Sequence, residues 1–147
     1  MAKILISAQI DLDPAQREEA LRTARPHIEA ALAEKGCIHY DWSACSMNPA
    51  RVNVFEEWES EEALAAHFKD PAYTGMRDHI GQFGITGAVS AKYRVDAEGP
   101  VYNAEGNATE YSSVSADSEA SGSLASDESL QALRDKLAGA AEARPLA

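Results

Sequence analysis

Within residues 1–96 a strand–helix–strand pattern is written twice in succession, and that order confines the chain to a few α+β arrangements. Lys3–Ile10 (KILISAQI) is short, apolar and β-branched, and reads as the first strand. Asp13-Pro14 predicts a helix start, with Asp as N-cap and Pro at the first helical position, where its missing N–H costs nothing. Leu21, Ala24, Ile28 and Leu32 recur at helical spacing, Pro26 predicts a kink or break, and Gly36 predicts a C-cap. Cys37–Cys45 alternates Ile38, Tyr40, Trp42 and Ala44 against Cys37, His39, Asp41, Ser43 and Cys45, a strand with two unlike faces. Residues 46–51 contain Asn-Pro and predict a turn, so Val52–Trp58 forms a hairpin with the preceding strand. Ser60 caps a helix through Ala63, Leu64, His67 and Phe68. Pro71 interrupts it, and a second segment runs through Tyr73, Met76 and His79 to Gly84. Thr86–Val95 alternates again, with Val89, Ala91, Tyr93 and Val95 on one face, and closes the series.

This order predicts a ferredoxin-like βαββαβ sandwich, one four-stranded antiparallel sheet with its helices on one face. The other face also carries apolar and aromatic side chains from strands two and four. It needs a cover, and the simplest is a second copy of the chain across a two-fold axis.

Beyond residue 96 the composition changes. Residues 97–147 hold nine acidic and three basic side chains, more than half of the net charge of -11. The stretch 112–127 is nearly half serine and has no aromatic residue, so 97–127 is expected to be an acidic extension or linker. Leu130, Leu133 and Leu137 form a narrow stripe in a separate helix expected over 128–143, marginal on its own. The acidity argues against nucleic-acid and anionic-membrane partners. No apolar run approaches the roughly 18 residues of a membrane-spanning helix, and the N-terminus reads as a strand, not a signal peptide, so the expected location is cytoplasmic.

Cys37 and Cys45 are expected to be free thiols: in one extended strand they would lie roughly 27 Å apart, too far for a disulfide. There is no CxxC or HxxxH pair to hold zinc, no Gly-rich loop for a dinucleotide and no nucleophile elbow. Neither a metal nor a cofactor is expected. The acidic run Glu56, Glu57, Glu59, Glu61 and Glu62 reads as a solvated edge and a favourable first helical turn.

The segments GCIHYDWSAC, NPARVNVFEEWESEEALAAHF and DPAY resemble the antibiotic biosynthesis monooxygenase family, small dimeric α+β barrels, over roughly residues 3–95. The family pattern Glu-Pro-Gly-Cys-x-x-Tyr is matched by Glu34, Gly36, Cys37 and Tyr40, with Lys35 in place of Pro. The pattern Glu-x-Trp-x-Ser-x-x-Ala-x-x-x-His is matched by Glu56, Trp58, Ser60, Ala63 and His67. The resemblance implies a homodimer that oxidises a quinol or polycyclic phenol with O2 and without a cofactor. It also leaves open a non-catalytic ligand-binding or haem-binding module of the same fold. Ser7 and Ala8 stand where haem-degrading relatives would carry an Asn, and little inward Arg or Lys is available for a sugar phosphate.

His67 reads either as a hydrogen-bonded core histidine or, as the resemblance implies, as a base or donor to a bound quinol oxygen. Trp58 is a core wedge or a stacking wall whose N–H reaches a substrate oxygen. Tyr40 is core or a phenolic hydrogen-bonding group, and Trp42 shares its face. Asn53 and Phe55 share a face of strand three. The resemblance offers Asn53 as a catalytic candidate, although its register against Trp58 is one residue off. Phe55, Phe68, Tyr73 and His79 are candidate walls for an aromatic substrate. Tyr73 falls just past the place where many relatives carry a second His.

Overall fold

The computed structural model describes residues 1–110 and 135–136. Two units separate along the chain, Met1–Asp96 and Ala97–Ala147. The first contains β1 (Ile4–Asp11), α1 (Arg17–Thr23), α2 (Arg25–Leu32), β2 (Cys37–Ala44), β3 (Arg51–Trp58), α3 (Glu61–His67), α4 (Pro71–Ile80) and β4 (Gly87–Arg94). In the second unit, Tyr102 and Ala108 form an isolated antiparallel bridge. The serine-rich stretch 112–127 lies outside the described residues, as does the expected helix over 128–143 apart from Asp135 and Lys136, which are helical.

The strands form one sheet in the order β2-β3-β1-β4, antiparallel at every junction. This is the ferredoxin-like α+β fold. Two-residue periodicity sorts the side chains. Ile4, Ile6, Ala8 and Ile10 of β1 stand opposite Trp58, Glu56, Val54 and Val52 of β3, and these face the helices. Leu12, Val52, Trp58, His67, Met76 and Ile80 are the largest fully buried side chains. The opposite sheet face exposes Phe55, Val89 and Tyr93.

Prolines and caps set the helix breaks. Pro26 stands near the start of α2, and the predicted first helix is split at Ala24. Asp13 does not cap a helix at Pro14. Its carboxylate accepts from Ala15 N–H at 2.9 Å and from the Gln16 side chain at 3.1 Å, closing a local turn, and α1 starts at Arg17. Gly36 is likewise not the C-cap. α2 ends at Leu32 with Ala33 as its cap, and Gly36 takes φ 86 in the turn that follows. Leu32, counted in the apolar stripe, is 47% exposed; the helix pair buries Ala20, Ala24 and Ala31 instead. The second half follows its signals closely. Ser60 Oγ accepts from Ala63 N–H at 3.1 Å to start α3, and Asp70 Oδ1 accepts from Ala72 N–H at 2.8 Å to start α4 behind Pro71.

β2 departs from strict alternation. Cys37 pairs with Trp58 and His39 with Glu57, so Ile38 is an extra residue in a β-bulge. The bulge carries Cys37 to the core side with Tyr40 and Trp42 and leaves Ile38 40% exposed. The hairpin after β2 is pinned from α1, where Arg17 Nη1 donates to the carbonyls of Asn48 (2.8 Å), Cys45 (3.2 Å) and Arg51 (3.3 Å).

Candidate active site

The helix-facing side of β3 reads Val52, Val54, Glu56, Trp58, and the last pair is bonded internally. Trp58 Nε1–H donates to Glu56 Oε2 at 2.9 Å, both side chains being buried. The Ser60 cap fixes the phase of α3, so that Ala63, Leu64 and His67 point at the sheet. His67 packs its ring on Trp58 at a centroid distance of 4.5 Å, with the rings of Tyr40 at 5.6 Å and Tyr73 at 5.5 Å set edge-on. Its Nδ1–H donates to Glu34 Oε1 at 2.8 Å, a carboxylate brought in by the turn between α2 and β2.

His67 is 1% exposed and Trp58 fully enclosed, so no hollow lies between them. The open space is beside them. A cavity of about 540 Å³ lies between the sheet and α4, with Tyr40, Trp42 and Glu56 on its sheet side and Tyr73, Met76 and Arg77 on its helix side. Phe68, Arg77 and Lys92 line it and are exposed. Arg77 stands over the Tyr73 ring at 5.8 Å. Trp42 Nε1 is buried without a hydrogen-bond acceptor, the one such side-chain atom among the described residues. Among those residues no three His, Cys, Asp or Glu side chains converge as a metal site requires.

Burial dominates the electrostatics. Desolvation raises Glu56 above the usual carboxylate range. The Trp58 N–H and His67 pull it part of the way back, and Glu34 pushes it up. The Cys37 thiol is pushed up to about 11 by burial and by the Glu34 and Glu56 carboxylates. Burial and Glu56 also raise the Tyr40 phenol, which is therefore a neutral hydrogen-bonding group at physiological pH.

Of the candidates from sequence, Tyr40, Trp42, Phe68 and Tyr73 line the cavity, and His67 and Trp58 form the layer beside it. Three stand elsewhere. Asn53 and Phe55 are odd-numbered in a strand whose even residues face the helices, so both lie on the opposite sheet face. Asn53 there neighbours the Cys45 thiol, and Phe55 is 42% exposed. His79 turns away towards α1, where its Nε2 lies 3.1 Å from both Ala20 O and Thr23 Oγ1, and its ring stacks near His27 and Phe83.

Glu56 is not part of the solvated acidic edge expected from sequence but is buried, and Glu34, named there only within a family pattern, is the partner of His67; Arg77 and Lys92 carry no sequence signal of their own. Glu56 had a usable signal: V-x-V-x-E-x-W puts it in phase with three inward apolar residues. For Glu34 the family pattern marks the residue but not its partner, because His67 lies 33 positions away through a turn.

The family model described as "Antibiotic biosynthesis monooxygenase" matches residues 3–78. An uncharacterised protein from Synechocystis sp. is 29% identical over 70 residues, 48% of this chain and 48% of that protein. The aligned part thus spans about half the length of that curated relative. Among solved structures, a conserved protein from Methanosarcina mazei superposes with a TM-score of 0.59 at 24% identity, covering 64% of this chain and 93% of that one. A Mycobacterium tuberculosis protein gives 0.58 at 21%, covering 67% and 99%. A Nitrosomonas europaea protein, provisionally described as an antibiotic biosynthesis monooxygenase, gives 0.58 at 17%, covering 64% and 90%. At these identities the likeness carries the fold.

Proposed function

Because the chain belongs to the antibiotic biosynthesis monooxygenase family, we propose that it oxygenates a phenol or hydroquinone of two or more fused rings held in the helix-side cavity, using O2 and no cofactor. The observation that carries this reading is the cavity itself: about 540 Å³, walled by Tyr40, Trp42, Phe68 and Tyr73, with a buried carboxylate on its floor.

The substrate supplies its own electrons. Loss of the phenolic proton leaves a more reducing anion, which transfers an electron to O2. Recombination forms a carbon–oxygen bond at a ring C–H position. The resulting hydroperoxide breaks its O–O bond and expels one oxygen as water. The other oxygen atom stays on the ring as a new quinone carbonyl or its enol. The substrate loses four electrons and O2 gains four, so no external reductant is needed. The protein's part is to desolvate the ring, stack it and hold charge at the reacting oxygen. His67, oriented by Glu34 and packed on Trp58, fixes the aromatic layer beside the cavity.

We also assign the exposed sheet face bearing Phe55, Val89 and Tyr93 to a homodimer interface, since three large apolar side chains on one sheet face call for a cover. A binding module without turnover is the second reading, favoured by the enclosure of His67 away from the cavity wall. Oxygen uptake with 1,4-dihydroxynaphthalene separates the two. The oxygenase reading predicts consumption above the uncatalysed rate by the wild type and its loss in Ala8→Phe, which fills the cavity from the sheet. Quenching of tryptophan fluorescence by the naphthalene without oxygen uptake supports the binding module.

A further inference from the structure

Resting on the cavity as the place where a phenol is oxygenated, we propose that Glu56 receives the substrate's phenolic proton, so that the site selects fused aromatics carrying a free hydroxyl. The register places Tyr40, Glu56, Ile6 and Lys92 in one row across β2, β3, β1 and β4, and all four line the cavity. Glu56 is the sole acid among the described residues that line it. Its carboxylate does not swing freely, because Trp58 Nε1–H holds Oε2 at 2.9 Å. His67 is less suited to accept that proton. It is 1% exposed and absent from the cavity wall, and the Glu34 carboxylate at 2.8 Å from Nδ1 holds its ring in place. It acts as a positioning residue through Trp58, on whose ring it packs.

The step is a proton transfer. The phenolic O–H bond breaks, a new O–H bond forms on the Glu56 carboxylate, and the electron pair stays on the phenolate oxygen. Glu56 becomes neutral as the ring becomes anionic, so no second negative charge accumulates on the floor. Lys92, two strands along the same row and roughly 10 Å away by strand spacing, and Arg77 on the helix side supply positive charge for the anion. That span matches two or three fused rings. The groups facing Glu56 set its basicity: burial, the largest cause, and Glu34 raise its pKa, while the Trp58 N–H and His67 lower it; the Tyr40 phenol and Cys37 thiol of β2 also face it and are neutral. A base is most effective when its pKa lies near the working pH.

The test is binding of 1-naphthol and of 1-methoxynaphthalene to the full chain, read by quenching of tryptophan fluorescence. For the wild type at pH 7.5 the hydroxyl compound is expected to bind about tenfold more tightly, the effect of one hydrogen bond to a charged acceptor. In Glu56→Gln, Trp58 claims the amide oxygen and the NH2 faces the ligand. That group donates to hydroxyl and ether oxygens alike, so the ratio falls to near one. Glu57→Gln makes the same charge change on the opposite sheet face and leaves the ratio intact. In the wild type alone, lowering the pH until Glu56 is protonated also erases the preference, a readout that does not depend on any variant folding. Retention of the preference in Glu56→Gln, equal wild-type affinities, or a ratio flat with pH overturns the role of Glu56 and leaves the cavity reading standing. Failure of the wild type to bind either naphthalene overturns both.

Discussion

Glu56 takes the third place in an inward series whose other members are Val52, Val54 and Trp58, and its burial has a cost that can be measured. Desolvation leads the shift of its carboxyl above the ordinary value, so the folded protein holds this proton more tightly than the unfolded chain does. The associated stability is fully present below the unfolded pKa of about 4.3 and is lost as pH rises through the folded one. Glu56→Gln, which keeps the shape and removes the ionisation, is predicted to raise the Tm at pH 8. The gain shrinks with falling pH and vanishes near pH 4, as followed by circular dichroism melts. An equal gain at both pH values would show that the carboxyl is not desolvated. For His67 the partner is a source of stability. Glu34→Ala leaves a buried imidazole N–H without its acceptor at 2.8 Å, a loss of about 1–3 kcal/mol to be read from the urea midpoint.

The turn joining α2 to β2 delivers Glu34 and Cys37 to the site, and it works only with glycine at position 36. The φ there is +86, and a Cβ would stand 2.6 Å from the Ala63 Cβ at the start of α3. Gly36→Ala is predicted to cost about 2–4 kcal/mol. Adding Ala63→Gly should recover only the part due to the Ala63 contact, since Glu59 Cγ also stands 2.8 Å from that Cβ, and none of the part due to φ. Full recovery would refute the strain at φ. The elements themselves were legible because their signals are local. Ser60 caps the helix after it, Pro26 and Pro71 stand at the breaks, β1 is apolar and β-branched, and the Asn-Pro turn marks the hairpin of β2 and β3. The misses have tertiary causes. A bulge at Ile38 inverted the facing of Cys37, which no two-residue count can foresee. Asp13 spent its carboxylate on a turn before the helix began. At the site, Tyr40, Trp42 and Tyr73 reach the cavity because they are large and in phase. Asn53 and Phe55 do not, because each is one residue out of phase with Trp58. His79 was placed on the correct helix, but α1 offered it a carbonyl on the other side.

The sheet separates two unlike surfaces, a covered face that holds the cavity and an open one that carries Phe55, Val89 and Tyr93. If the open face joins two copies, Phe55→Glu places a charge in that interface and is predicted to shift the protein from dimer to monomer in sedimentation velocity. A wild type that sediments as a monomer at micromolar concentration would refute the assignment. The net charge of -11 adds to the repulsion between copies, so the dimer should tighten with added salt. What the covered face does is decided most directly by the fate of molecular oxygen. Incubation of the full chain with 1,4-dihydroxynaphthalene under 18O2, followed by mass spectrometry of the extracted product, should give a hydroxynaphthoquinone carrying one heavy oxygen atom, with the other recovered as water. A product with no label, or oxygen consumed only as hydrogen peroxide, would contradict the oxygenase account.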